Sequence, residues 1–189
     1  MSSDQCVVCW EEGDLLCSSC KSCRYCSKRC QKNDWKSHKL LCKAISTQSE
    51  RPSSFHVRAI YFPQDRPTPE LVWISCLGIP SFEEVKGIVR EGTPGNVDIQ
   101  RVYWNYRLMK PALQHIEFHF RDLFLRDGSR PTKSLYETVA KHGQARCDWR
   151  GPLLVFGVSR SDLYTDATLA DFRAVIDYSL GYGQSHSGL

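Results

Sequence analysis

The chain has 189 residues, ten cysteines and a formal net charge of +4. This length allows one ordinary domain and one small domain, and no apolar run approaches the ~18 residues of a membrane-spanning helix. The opening Met1-Ser2-Ser3-Asp4 is not an apolar signal segment. We therefore expect an intracellular protein of the nucleus or cytoplasm, with no membrane partner and no disulfide framework.

Four pairs of metal-ligand residues follow one another in the first 42 residues. The pairs are Cys6 and Cys9, Cys17 and Cys20, Cys26 and Cys30, and His38 and Cys42. Tetrahedral zinc takes four such ligands, so eight ligands predict two sites and two Zn²⁺ per chain. A site closed by four protein ligands has no open position for water, so it stabilises structure and does no catalysis. The spacing alone does not say which pairs share a metal.

This segment has too few large apolar side chains to fold without metal. Ordering ~40 residues costs on the order of 1–2 kcal/mol of backbone entropy each, whereas structural zinc contributes ~10–16 kcal/mol per site. Locally, Ser27 is expected to cap a turn of helix carrying Cys30, and Asn33 to cap a second helix with Asp34 near its positive end. His38 and Cys42 then share one face of that second helix.

The order of these residues resembles a known family. The two C-x2-C pairs followed by Tyr25-Cys26-Ser27-x-x-Cys30-Gln31-x-x-Asp34-Trp35-x-x-His38-x-x-x-Cys42 resemble a MYND-type zinc finger over residues 6–42. In that family the pairs interleave. The resemblance therefore implies one zinc site from Cys6, Cys9, Cys26 and Cys30, and a second from Cys17, Cys20, His38 and Cys42.

The same resemblance implies a protein partner. MYND fingers bind short proline-containing peptides, often of a Pro-x-Leu-x-Pro kind, against an exposed aromatic groove. The positions of this chain that match the groove are Trp35, Gln31 and, less closely, Ser18. A tryptophan offers apolar area, and a glutamine can bond a peptide carbonyl. Packing of the small finger core is an equally good explanation for Trp35.

A run of basic residues keeps a nucleic-acid partner open as an alternative. Residues 21–43 hold eight lysines and arginines against the single acidic residue Asp34. Residues 1–50 have a formal charge of +2, but seven thiolate ligands and two Zn²⁺ together add −3, so the metal-loaded segment is near −1. We expect some of the lysines to donate to metal-bound sulfurs, and we expect no strong steering of DNA.

The remainder of the chain predicts a second unit of mixed structure. Residues 1–43 are the expected finger, 44–54 a polar linker, 55–182 an α+β domain and 183–189 a flexible tail. The strands are expected at His56–Phe62, Leu71–Leu77, Val97–Trp104, Gln114–Phe120 and Leu153–Val158. Capping boxes predict helices that begin at Ser134 with Glu137 and at Thr168 with Asp171. This portion resembles the C-terminal part of small fungal MYND-finger proteins, which implies no activity.

One group in the second unit is a candidate for chemistry. His115, Glu117 and His119 alternate along a predicted strand and share one face, but at ~6–7 Å between neighbours they suit a shared metal poorly. We expect this face to be solvated. No G-x-S-x-G, H-E-x-x-H, Walker loop, dinucleotide fingerprint or SET-type cofactor motif occurs. The sequence therefore favours a non-enzymatic adaptor, with an enzyme of unrecognised type in 55–182 as the remaining alternative.

Overall fold

The structure is a computed structural model that describes residues 4–90 and 95–183. The metal-ligand segment contains two short strands and one long helix: β1 (Leu15–Leu16), β2 (Arg24–Tyr25) and α1 (Lys28–Thr47). The following part contains β3 (His56–Phe62), β4 (Glu70–Leu77), β5 (Ile79–Pro80), α2 (Phe82–Arg90), β6 (Val97–Asn105), β7 (Lys110–Arg121), α3 (Lys133–Val139), β8 (Leu153–Val158), β9 (Tyr164–Thr165) and α4 (Leu169–Gly181).

One antiparallel sheet organises the second part of the chain. Its strand order is β5-β4-β3-β8-β7-β6, and β9 extends it by pairing with the end of β8. All six residues of the central strand β8 are buried, which explains its uninterrupted apolar sequence. The predicted class, a zinc-stabilised finger followed by an α+β region, is confirmed.

The five predicted strands are all present, and the bounds of three of them, β4, β6 and β7, differ at the ends. The bounds of β3 and β8 are those predicted, whereas β7 begins four residues earlier than expected. The prediction missed α2, a short helix whose buried side chains are Val85 and Val89. Residues 184–189 of the predicted tail lie outside the described residues.

Each face of the sheet has its own core. Successive residues of a strand point to opposite faces, so β8 sends Leu153 and Val155 to one core and Leu154 and Phe156 to the other. The second core is closed by α2. The first core contains residues of α3 and α4 and also buried residues of the metal-ligand segment, namely Cys6, Val7, Val8, Cys17, Cys23, Tyr25, Leu41 and Cys42. The small segment therefore shares a core with the sheet.

One continuous helix replaces the two short helices expected after Ser27. The Ser27 side chain accepts a hydrogen bond from the Cys30 amide at 3.2 Å, as predicted. The expected cap at Asn33 is wrong, because α1 runs without interruption from Lys28 to Thr47. Asp34 is consequently not at a helix start; it is buried, with 3% of its surface exposed.

The two predicted capping boxes have different outcomes. Thr168 and Asp171 form a complete box at the start of α4, as expected. The box at Ser134 is wrong, because α3 begins at Lys133 and the Ser134 hydroxyl donates to the Pro63 carbonyl at 2.8 Å. That bond ties α3 to the end of β3 and leaves the hydroxyl unavailable for capping.

The polar face of β7 is buried, so the expected solvated face is wrong. Glu117 is fully buried, and His119 is 4% exposed. The Arg101 side chain donates to one Glu117 oxygen at 2.7 and 2.6 Å, and His119 Nε2 lies 2.7 Å from the other oxygen, which also accepts from Tyr164. His115 is partly buried, with its ring 4.3 Å from that of Tyr103.

The start of the predicted linker is helical. Residues 44–47 form the last turn of α1, and the helix end is tied to the sheet because Trp73 Nε1 donates to the Ser49 carbonyl at 3.3 Å. Arg58 Nη1 also donates to the Gln48 side chain at 3.2 Å. The division of the chain into a finger and a separate domain stays a prediction. Since residues 44–47 are helical, the segment without regular structure between the two parts is shorter than predicted.

The Glu117 cluster provides a test of the second core. Burial alone would raise the pKa of Glu117, but the hydrogen bonds from His119, Tyr164 and Arg101 lower it to about 2. Its stabilising contribution is therefore fully present above the unfolded pKa of ~4.3 and is lost as pH falls towards 2. We expect Glu117→Gln to lower the free energy of unfolding by ~2–4 kcal/mol, because it leaves Arg101 without its carboxylate.

Urea denaturation in the presence of zinc measures this loss. The deficit of Glu117→Gln should be nearly constant between pH 8 and 5.5, since Glu117 is ionised in both the folded and the unfolded protein there. The exposed Glu137→Gln is the matched control and should change stability by less than ~0.5 kcal/mol. Equal effects of the two substitutions would contradict the stabilising role of the buried Glu117 carboxylate.

Candidate metal centres

The first cluster is built from Cys6, Cys9, Cys26 and Cys30. The first two cysteines come from the turn before β1, where the Trp10 amide donates to the Cys6 carbonyl at 2.9 Å. The other two flank the start of α1. The four sulfurs all lie within 4.8 Å of one another, with Cys26 Sγ 3.4 Å from Cys9 Sγ and 3.5 Å from Cys30 Sγ.

The second cluster is built from Cys17, Cys20, His38 and Cys42. Cys17 and Cys20 lie between β1 and β2, and the other two residues lie one turn apart on α1. His38 Nε2 is 3.4 Å from Cys17 Sγ and 3.6 Å from Cys20 Sγ, and the sulfurs of Cys17 and Cys42 are 3.9 Å apart. The structure thus brings together the two interleaved sets that the family resemblance implied.

Both donor sets fit tetrahedral zinc. Ligands at ~2.3 Å for sulfur and ~2.0 Å for nitrogen place two sulfurs ~3.8 Å apart and a sulfur and a nitrogen ~3.5 Å apart. The observed separations of 3.4–3.9 Å between ligand atoms in the two clusters agree with that geometry. Each cluster already supplies four protein ligands, so the sites are of the closed, structural kind.

The thiols differ in how readily they lose their protons in the metal-free protein. Burial raises the pKa of Cys9 to about 12 and that of Cys42 to about 11. Burial acts in the same direction on Cys17, but hydrogen bonds from the backbone at Cys20 and Ser19 outweigh it and lower the pKa of Cys17 to about 7. Zinc binding must therefore displace protons from buried thiols, which makes zinc affinity rise with pH.

A buried tyrosine and a buried aspartate hold His38 in position. The Tyr25 hydroxyl lies 2.8 Å from His38 Nδ1 and donates to Asp34 Oδ2 at 2.8 Å. With Nε2 directed at the sulfurs, the neutral ring carries its proton on Nδ1 and donates it to this pair. Burial alone would raise the pKa of Asp34, but His38 and Arg173 hold it below its ordinary value, so the carboxylate stays ionised.

The network continues from Asp34 into α4. Arg173 Nη1 lies 3.3 Å from Asp34 Oδ1, and both side chains are 4% exposed. The same guanidinium donates to Asp177 Oδ1 at 3.0 Å, and Asp177 also accepts from Arg107 at 2.7 Å. Arg107 in turn donates to the Val8 carbonyl, beside the first cluster. Both metal clusters are therefore connected to the sheet region by polar contacts, the second through the buried Arg173 and the first through the partly exposed Arg107.

Comparison with protein families agrees with this geometry. The family model described as MYND finger matches residues 6–42. Residues 6–42 are a MYND finger. The match includes all eight residues of the two clusters.

Curated proteins of several kinds contain a similar segment. Ubiquitin carboxyl-terminal hydrolase 19 of Arabidopsis thaliana is 49% identical over 49 residues, covering 25% of this chain and 7% of the relative. Tudor domain-containing protein 1 of Oryzias latipes is 30% identical over 100 residues, covering 48% of this chain and 8% of the relative. SET domain and MYND-type zinc finger protein 6 of Schizosaccharomyces pombe is 47% identical over 47 residues, covering 24% of this chain and 10% of the relative.

These matches concern a small part of each relative, at 4–11% of its length. No solved structure matches the chain. None of the helices within residues 4–90 and 95–183 combines the length and the apolar character needed to cross a bilayer. The comparisons therefore identify the MYND finger at residues 6–42.

Two of the three residues predicted to bind a peptide, Trp35 and Ser18, adjoin the second cluster, and Gln31 directly follows Cys30 of the first. Trp35 is 48% exposed, and its ring centroid lies 5.5 Å from that of His38 at an interplanar angle of 30°. Gln31 is one turn earlier on α1 and is partly buried. Ser18 is exposed and directly follows the ligand Cys17. Their role in peptide binding stays a prediction.

The lysines of the MYND finger do not cover the metal-bound sulfurs. Every lysine of α1 is exposed, and none of them donates to a sulfur among the described residues. In that part of the chain, Cys20 Sγ instead accepts from the Ser22 hydroxyl at 3.2 Å. The expectation that lysines neutralise the thiolates is wrong, and their charge is directed to solvent.

Two residues of this network, Asp34 and Arg173, were not predicted from the sequence as part of the site. Asp34 was assigned to a helix start, although its spacing of four residues before His38 would have allowed it to orient the ligand ring. Its partner Arg173 lies 139 residues away, and no local signal points to that pair. Cys23, the cysteine of this segment that lies outside both clusters, is a buried side chain with 2% of its surface exposed.

The metal content can be measured directly. We expect two zinc ions per chain by atomic emission spectroscopy, and about one in Cys9→Ser or His38→Ala, because each substitution removes a ligand from one cluster only. Cys23→Ser is the matched control, since Cys23 lies outside both clusters, and it should retain two ions. One ion per chain in well-folded unmodified protein would contradict the two-site assignment.

The contribution of the contact between the MYND finger and α4 can be measured as a change in the free energy of unfolding. Removing one partner of a buried ion pair costs ~3–5 kcal/mol, so Arg173→Met should lower the free energy of unfolding by about that amount in zinc-saturated protein. A double variant that also carries Asp34→Asn should lose less than the sum of the two single losses. Arg146→Met, at an exposed position near α4, should have little effect. A harmless Arg173→Met would show that the pair does not hold the two parts together.

Proposed function

We propose that this chain is a non-enzymatic intracellular adaptor, in the nucleus or cytoplasm, whose MYND finger docks a proline-containing segment of a protein partner. MYND fingers are zinc-binding protein-interaction modules, and this one has its complete ligand sets. Regulatory complexes of a transcriptional, chromatin or ubiquitin-linked kind are the proposed setting. The names of the relatives, which include a ubiquitin carboxyl-terminal hydrolase and Tudor domain-containing proteins, support that setting.

The exposed side chain of Trp35 carries the proposal. An indole that leaves almost half of its surface in water is not explained by packing of the finger core alone. One part of the ring rests on the His38 imidazole, which the metal and the Tyr25 hydroxyl hold in place. The anchor is therefore rigid before a partner arrives, so little side-chain entropy is lost on binding.

Other residues that adjoin metal ligands in the chain offer apolar area and a hydrogen-bonding group. Leu15 and Leu16 of β1 are 38% and 41% exposed, and they directly precede Cys17, whose sulfur is 3.4 Å from His38. Gln31 offers a side-chain amide one turn from the indole. An extended proline-rich segment suits such a surface because its backbone is already restricted and it presents unpaired carbonyls.

The closed metal sites support a binding role in place of catalysis. Four protein ligands per cluster leave no coordination position at which zinc could activate water. Two of the relatives have enzyme names, ubiquitin carboxyl-terminal hydrolase 19 and N-lysine methyltransferase SMYD2-A, but the matched segments cover only 7% and 11% of them. We accordingly propose that the finger of this chain recognises a partner.

Fluorescence anisotropy with a neutral labelled Pro-x-Leu-x-Pro peptide tests the proposal. Trp35→Ala should weaken binding by ~1–2 kcal/mol, the usual loss for an aromatic anchor at an interface. Gln31→Ala should cost ~1 kcal/mol, about one neutral hydrogen bond. Both variants should retain two zinc ions, because neither residue is a ligand.

Phe55→Ala is the matched control for an exposed aromatic residue. Phe55 is 59% exposed at the start of the sheet region, and its removal should leave peptide binding unchanged. Peptide binding that is equally insensitive to Trp35→Ala would exclude the proposed groove.

A further inference from the structure

A row of lysines follows one side of α1. Its members are Lys28, Lys32, Lys36, Lys39 and Lys43, and all five are exposed. Their spacings of four, four, three and four residues place them within an arc of ~80° on a helix that turns ~100° per residue. The row extends for ~22 Å along the helix axis. We call these five residues the lysine row.

The lysine row has no acidic partner within residues 4–90 and 95–183. The lysine ion pair found there belongs to Lys86, and none of the five ammonium groups forms a hydrogen bond or ion pair in this part of the chain. The single acidic residue of α1, Asp34, points inward to Arg173. None of the five ammonium groups is therefore paired with a carboxylate of this part of the chain.

The proposed peptide anchor adjoins this row. Lys32 precedes Trp35 by three residues and Lys39 follows it by four, so both are its neighbours on the helix surface. The inner face of α1, with Ser37, Leu41 and Cys42, is buried against the rest of the molecule. An exposed indole and a line of cations are thus presented together on the outer face.

We infer that the partner segment docked at Trp35 carries glutamates or aspartates next to its apolar anchor, and that the lysine row selects them. This inference rests on the proposed function, because it takes Trp35 as the anchor. An extended peptide advances ~3.3 Å per residue, so acidic residues in the flank of the anchor would span several lysines of the row. The complementarity is local, between the row and carboxylates held beside it.

An acidic peptide suits this surface better than a nucleic acid does. Residues 1–50 are near −1 when both clusters hold zinc as thiolate complexes, so the finger has no strong attractive field for a polyanion. Nucleic-acid binding depends on that field and on releasing counterions from many phosphates. A segment anchored on Trp35 needs only short-range contacts with a few lysines.

Three labelled peptides with the same Pro-x-Leu-x-Pro core and acidic, neutral or basic flanks test the inference. We expect the zinc-loaded 189-residue chain to bind the acidic peptide about five- to tenfold more tightly than the neutral one, since several exposed ion pairs form together although each is weak. The preference should shrink as salt rises from ~0.05 to ~0.5 M, because exposed charges are screened. Lys32→Glu combined with Lys39→Glu should abolish it and leave affinity for the neutral peptide within about twofold.

The control variant makes the same change in net charge at lysines outside α1. Lys110→Glu combined with Lys133→Glu alters two exposed lysines of the sheet region and should retain most of the preference. Equal affinity for acidic and neutral peptides, with binding still dependent on Trp35, would overturn the inference and leave the groove standing. Loss of Trp35 dependence for both peptides would overturn the groove as well. Tighter, Lys32- and Lys39-dependent binding of a labelled single-stranded oligonucleotide would replace the acidic peptide with nucleic acid.

Discussion

The buried carboxylate of Asp34 is the constraint on which the arrangement of the molecule depends. One of its oxygens accepts from Tyr25, which also contacts the ligand ring of His38, and the other faces Arg173 of α4. A charge with so little access to water is tolerated only when it is paired, and the same holds for the guanidinium. The orientation of a zinc ligand and the docking of α4 are therefore set by one side chain.

This coupling explains how so small a finger can present a rigid surface. Two zinc clusters order its backbone, but its apolar residues are too few to form a core of their own, and Val7, Val8 and Leu41 are instead buried in the core that lies between the sheet and α4. Arg107 and His142 add contacts from the sheet region to Val8 and Ser37. The sheet region thus supports the finger through these contacts.

The parts of the structure that depend on nearby residues could be predicted from the sequence. The eight ligands follow from pair spacings, and β3, β8 and α4 follow from apolar runs and a capping box. The predictions that failed depend on distant residues. Period-two alternation placed Glu117 and His119 on one face correctly, but their burial comes from Arg101 and Tyr164, which lie 16 and 47 residues from Glu117. Likewise, nothing near Asp34 indicates that Arg173 will reach it.

The same distinction separates the two sides of α1. The buried side joins His38 and Cys42 to Asp34, Ser37 and Leu41, so each of its positions is fixed by metal or by packing. The outer side carries the lysine row, whose members are exposed, and Trp35, which leaves 48% of its surface in water. An exposed indole lowers solubility, and adjacent lysine charges without an acidic partner repel one another. Folding alone therefore does not favour Trp35 and the lysine row on the outer side of α1. Both features are accounted for together when a partner with an apolar anchor and acidic flanks covers them.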